Sequence, residues 1–165
     1  MLRRLLVTGL CLVAVTTPAR GAGLALAPEA ACSYLAEAGL PAANDYRPFR
    51  EEQFYCWSLR RDLPAGDPVR HRVRYTAEGT AEAVSALVLE LQVVSGSEVQ
   101  RAHRLFLEHA KTLARAATGQ DLPEAVGKAI LSARPGRWRE GETDFFVQKS
   151  SVRAPTSYEL VLRIE

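Results

Sequence analysis

Residues 97–119, SEVQRAHRLFLEHAKTLARAATG, hold the longest helical period in the chain, so whatever surrounds them must supply a surface for one long amphipathic helix. Val99, Ala102, Phe106, Ala110, Leu113 and Ala117 recur at three- and four-residue spacing and make a single apolar stripe. Ser97 with Gln100 three residues on predicts a capping box at the start, and Gly119 a left-handed residue at the stop. A helix of about 20 residues reaches roughly 30 Å, enough to lie across a sheet.

The flanking segments supply that sheet. Residues 54–59, FYCWSL, are aromatic-rich and strand-like. In residues 69–75, Val69, His71, Val73 and Tyr75 alternate with Arg70, Arg72 and Arg74, which puts the arginines on one face and the apolar set on the other. Residues 84–94 are apolar on both parities, as expected of a central strand. Beyond the long helix, Asp121 and Glu124 predict a second capping box, and Ala125, Val126, Ala129, Ile130 and Ala133 form the apolar face of a shorter helix. Residues 137–140, 143–149 and 157–164 read as three further strands, with a turn at Glu140-Gly141. Upstream, residues 28–38 predict a short helix entered through Pro28 and ended by Gly39-Leu40-Pro41. Residues 41–53 have no period and are expected to form an irregular connection, and residues 77–83 a linker around Gly79. The resulting order, α-β-β-β-α-α-β-β-β, predicts an α+β fold: an antiparallel sheet of about six strands with the long central helix and the second, shorter helix packed on one face.

The N-terminus has the form of a secretory signal. Arg3 and Arg4 precede an apolar stretch at 5–15, which Thr16-Thr17-Pro18 breaks ahead of the small residues Ala19 and Gly21. The expected organisation is a signal peptide at 1–21, cut after Gly21 (Gly23 is the second choice), and a single domain at 22–165. The apolar stretch falls short of the roughly 20 residues of a spanning helix, so no stable membrane anchor is expected after cleavage. Cleavage would remove Cys11 and leave Cys32 and Cys56 as the sole thiols, a pair with one possible bridge in an oxidising compartment such as the bacterial periplasm. Their spacing is far from C-x-x-C, which favours a structural bond over a redox pair, worth roughly 3–4 kcal/mol in the chain-entropy model.

Charge excludes one class of partner. Removing the signal takes Arg3, Arg4 and Arg20 from the 21 basic residues and none of the 19 acidic ones, which leaves the remainder at −1. Such a balance gives no support to nucleic-acid binding. His103 and His109 lie six residues apart on the predicted helix, about 240° around its axis, and cannot chelate together. No metal or cofactor is expected. The carboxylates Glu140, Glu142 and Asp144 share one strand parity around Gly141, the pattern of a solvated hairpin tip, and Glu51-Glu52 lies in loop sequence. No nucleophile-elbow, P-loop or dinucleotide signature occurs.

Arg70, Arg72 and Arg74, with Arg60 and Arg61 upstream, are the feature with the clearest chemistry: a row of guanidiniums able to grip carboxylates or phosphates. The plainer alternative is a solvated outer face or a charge-protected edge. The layout is similar in kind to small exported domains that bind other proteins, such as periplasmic inhibitor and chaperone modules. The expected function is therefore a non-catalytic periplasmic binding or interaction module that meets an envelope protein or an anionic ligand through the arginine row. The competing expectation is a small periplasmic hydrolase with an unrecognised active site, which a clustering of His71, Glu140, Glu142 or Asp144 in one cleft would favour. Intact mass of the exported protein should place its first residue near Ala22; recovery of Met1 on a membrane-extracted product would contradict the signal reading.

Overall fold

The computed structural model describes residues 23–50, 52–64, 70–94, 98–152 and 157–165. Eight strands form one antiparallel sheet: β1 Arg47–Arg50, β2 Gln53–Trp57, β3 Arg61–Asp62, β4 Arg72–Gly79, β5 Val84–Val93, β6 Gly136–Glu140, β7 Thr143–Ser151 and β8 Tyr158–Ile164. Their spatial order is β1-β2-β4-β5-β8-β7-β6, and β3 pairs with β4 beyond the end of β2. Among the described residues three helices complete the fold: α1 Pro28–Ser33, α2 Val99–Thr118 and α3 Glu124–Leu131. The excursion after β5 runs through α2 and α3 to the far edge, and the last strand, β8, returns to lie against β5.

Alternation decides which face receives the helices. Val73, Tyr75 and Ala77 of β4, Leu87, Leu89, Leu91 and Val93 of β5, and Leu160, Leu162 and Ile164 of β8 are all buried. The register sets them side by side, as in Tyr75↔Leu89 and Leu89↔Leu162. Against this inner face α2 lays the stripe expected of it, with Ala102, Phe106, Ala110 and Leu113 fully buried. The residue after α2, Gly119, takes φ 71° and returns its N–H to the Arg115 carbonyl, as expected of the helix stop. α3 packs on α2, β6 and β7, while α1 packs on β4 and β5.

Two bonds fix α1 to the sheet. Cys32 is disulfide-bonded to the inward-facing Cys56 of β2, with a Cα–Cα distance of 5.9 Å. The buried Tyr75 hydroxyl donates to the Ala31 carbonyl at 2.8 Å.

Several local expectations give way. Residues 41–53 are not wholly irregular: β1 lies among them, held as an edge strand by pairing with β2. The expected linker at 77–83 begins inside β4, which runs on to Gly79. A Cβ at Gly79 would stand 2.1 Å from the Ala83 carbonyl, so the return into β5 passes too close for any side chain. β1 and β3 bring the strand count to eight where about six were expected. The strand expected from residue 69 starts at Arg72, and the first helix ends at Ser33 with turns continuing to Gly39.

The capping box expected of Asp121 is not used, and the one expected of Ser97 falls on a residue outside those described. Glu98, with φ 71°, occupies the N-cap of α2 without a side-chain capping bond; Ser97 lies outside the described residues. Pro123 is the N-cap of α3, and Asp121 ion-pairs with Arg115 instead. The signal segment and Val69 also lie outside the described residues.

Phe106→Ala should lower the unfolding free energy by about 3–5 kcal/mol, measured by denaturant titration. A loss under about 1 kcal/mol would mean that α2 is not seated on this face.

Candidate functional site

With the inner face filled, the outer face holds the remaining side chains of the same strands. Cys56 points inward, so its neighbours Tyr55 and Trp57 point outward. Their rings stack with centroids 4.7 Å apart, and Phe49 from β1 meets Tyr55 edge-on at 4.9 Å. Phe49 is 58% exposed, one of two large apolar side chains left so open among the described residues. The Arg47 guanidinium lies over the Trp57 ring at 5.1 Å, so β1 and β2 together form an aromatic wall along one edge of the sheet.

Across from that wall, β4, β5 and β8 contribute Arg74, Glu78, Glu90 and Arg163, with Thr76 between. The register explains the convergence: Trp57 pairs with Thr76, Thr76 with Val88, and Val88 with Arg163. Wall and charged side enclose a trough of about 840 Å³, a volume in the range of small-molecule sites.

Apart from the exposed Glu52, the charges in the trough are mutually neutralised. Arg74 donates to the Glu90 carboxylate at 2.6 Å, and Arg60 reaches Glu90 at 3.6 Å and Glu159 at 3.3 Å. Arg163 bonds Glu78 at 2.9 Å and also contacts Glu165. The pairs hold the guanidiniums in fixed directions and leave little net field above them.

The five arginines singled out from sequence therefore separate. Arg70, Arg72 and Arg74 do share one side of the chain, but Arg70 and Arg72 both bond Asp62, at 2.9 and 3.1 Å. Their hydrogen bonds hold the Asp62 carboxyl below the usual carboxylate range. Arg61 lies exposed on β3. Only Arg74 lines the trough, with Arg60 joined to it through Glu90. Phe49, Tyr55, Trp57 and Glu90 were not read as site residues. The alternation of Tyr55 and Trp57 about an inward Cys56 was present in FYCWSL; the partnership of Arg74 with Glu90 needed the register.

Each of the three histidines is hydrogen-bonded within the fold. His71 is buried, and its Nδ1 accepts from the Val94 N–H at 3.3 Å. His103 Nδ1 lies 3.0 Å from the Leu131 carbonyl, which accepts only, so this nitrogen carries the proton of the neutral ring. Nε2 then accepts from the Tyr158 hydroxyl at 2.6 Å. His109 faces the carbonyls of Leu105 and Ala38, which ties α2 to the turns after α1. Among the described residues no group of three or more His, Cys, Asp or Glu is placed to hold a metal ion. Nor does any described helix have the length and apolarity to cross a membrane.

His71 and the β6–β7 carboxylates stand at opposite ends of the sheet. His71 precedes the row Arg72, Gln92, Glu159 and Ser150, whereas Asp144 lies where Glu165 closes the other end. From Ser150 to Asp144 along β7 is about 20 Å at roughly 3.3 Å per residue. Asp144 is bonded by Arg137 at 3.0 Å, which lowers its pKa.

Compared with protein-family models, curated proteins and solved structures, the chain matches none.

Burial lowers the His103 pKa from its ordinary 6.5; Lys149 and His71 push it the same way, against the Leu131 hydrogen bond. The unfolded chain therefore takes up this proton at higher pH than the folded one. The stability tied to a neutral His103 is complete above about pH 6.5 and declines as pH falls below it. Melting temperature should drop between about pH 7 and pH 5, and His103→Gln should flatten that segment of the curve. An unchanged slope in the variant would remove His103 as the cause.

Proposed function

We propose that the protein is an exported periplasmic binding module without a catalytic step of its own, and that its ligand or partner seats in the outer-face trough. The observation that carries this reading is the standing aromatic wall, with Phe49 open to solvent, facing side chains that bear several hydrogen-bonding groups. Aromatic rings and arginines are enriched at binding surfaces: the rings offer a large contact area at small entropic cost, and the guanidinium several directed hydrogen bonds. Export is supported by the basic, apolar and small-residue order of 1–23 and agrees with the Cys32–Cys56 bond. The expected partner classes, an envelope protein or an anionic ligand, carry over with a change of address. Arg74 and Arg60 belong to this seat, whereas Arg70 and Arg72 are engaged by Asp62. A cleft shared by His71 and the β6–β7 carboxylates would favour the hydrolase alternative, and these residues lie apart.

Affinity capture from envelope extract tests the location. The wild type should retain a component that a Tyr55→Ala/Trp57→Ala variant loses and an Arg70→Glu/Arg72→Glu variant keeps. Equal retention by all three, or loss only in the Arg70/Arg72 variant, would contradict the trough as the seat.

A further inference from the structure

The chemistry of the trough narrows what it takes. Its acidic lining residues are Glu52, Glu78 and Glu90, and its basic ones are Arg74 and Arg163. Both guanidiniums already hold carboxylates, at 2.6 and 2.9 Å. An anionic ligand bonding Arg74 or Arg163 would face the Glu90 or Glu78 carboxylate at close range. A cationic ligand would have to displace the same two arginines to reach Glu78 or Glu90, and could meet directly only the exposed Glu52. A neutral ligand carries neither penalty. It meets paired Arg and Glu side chains as fixed donors and acceptors, each with hydrogen-bonding capacity left beyond its partner.

The site also constrains the shape of the ligand. The trough lies on the face of the sheet, where backbone N–H and C=O groups are spent in the ladders on both sides of β4 and β5. An extended peptide could not add as a strand here; recognition has to come from side chains. The ligand must be polar along one side, toward Arg74, Thr76, Glu90 and Arg163, and apolar along the other, toward Tyr55 and Trp57. A saccharide has this division, with hydroxyls around its rim and C–H groups across its ring faces, and the C–H groups suit aromatic neighbours.

We infer that the trough is a binding site for an uncharged oligosaccharide, with its C–H surface against the Tyr55–Trp57 wall and its hydroxyls bonded to the Arg74–Glu90 and Arg163–Glu78 pairs. This rests on the reading of the trough as a binding seat and puts an uncharged ligand in place of the anionic one. The binding contacts are neutral, so affinity is insensitive to ionic strength, unlike that for a charged ligand. Trp57 is the optical reporter, since the other tryptophan, Trp138, packs against the core cluster on the inner side.

Calorimetric and tryptophan-fluorescence titration of the disulfide-bonded protein tests it. The probes are neutral β-1,4-glucose, β-1,4-N-acetylglucosamine and α-1,4-glucose oligomers, with a sulfated oligosaccharide and acidic and basic peptides for comparison. At least one neutral oligomer should bind, with an affinity that changes by no more than about twofold between about 50 and 500 mM NaCl. Tyr55→Ala and Trp57→Ala should each weaken it by about tenfold or more while keeping the wild-type melting temperature. Trp57→Phe serves if the alanine variant is unstable, and Phe146→Leu, on the outer face beyond the trough, should bind as wild type. Binding of only the charged probes, silence of the whole neutral panel, or undiminished affinity in a folded Trp57 variant would each overturn the inference. If the panel is silent while a captured envelope component still depends on Tyr55 and Trp57, the ligand class is wrong and the seat stands; if that dependence is absent too, both fall.

Discussion

Phe106, Ala110 and Leu113 leave water together because α2 repeats its apolar residues at helical period and finds, across β4, β5 and β8, a surface whose apolar residues repeat at period two. A side chain the size of Phe106 gains roughly 1.5–3 kcal/mol by this transfer, and its neighbours add to it. No other contact commits so much of the chain at once, since it consumes one face of the sheet and forces every intervening strand residue to the opposite face. The disulfide and the Tyr75–Ala31 bond then close the remaining gap by holding α1 beside α2 on the same side. The outer face is the consequence. Arg74, Thr76, Glu78, Glu90 and Arg163 stand there because their neighbours in sequence were required inside.

Ion pairing on that outer face follows from the register. Exposed pairs of this kind contribute little to stability, about 0–1 kcal/mol each, so Arg74–Glu90 and Arg163–Glu78 are not what keeps the sheet together. Their effect is geometric. Each fixes a guanidinium in a known direction at the foot of an aromatic wall and cancels the charge that a lone arginine would project. A surface of this type is selective for shape and hydrogen-bonding pattern more than for charge, unlike the anion-gripping row that the bare alternation of Arg70, Arg72 and Arg74 brings to mind.

What could be read from sequence, and what could not, divides along physical lines. The α2 stripe, the inward face of β4, the central position of β5 and the cysteine bridge all depend on local period or on elimination, and all are present in the fold. β1 and β3 escaped because they carry no period: RPFR contains a proline, and Arg61–Asp62 is two residues long. Such strands exist only because a neighbour offers its edge. The second capping box was legible as residues yet is not used, since Asp121 finds Arg115 and Pro123 takes the N-cap. The trough was half legible. Tyr55 and Trp57 flank an inward cysteine in plain view, but Glu90 and Arg163 meet Arg74 and Glu78 only through pairings between strands distant in sequence.

The central claim is that the sheet has one face committed to the helices and one face open to solvent, with the aromatic wall on the open side. Hydroxyl-radical footprinting of the ligand-free protein, read by mass spectrometry residue by residue, tests this most directly. The account predicts rapid modification of Phe49, with Trp57 and Tyr55 also labelled, and strong protection of Phe106 and Tyr75. Protection of Trp57 and Phe49 to the level of Phe106, or labelling of Phe106 at the rate of Phe49, would contradict it.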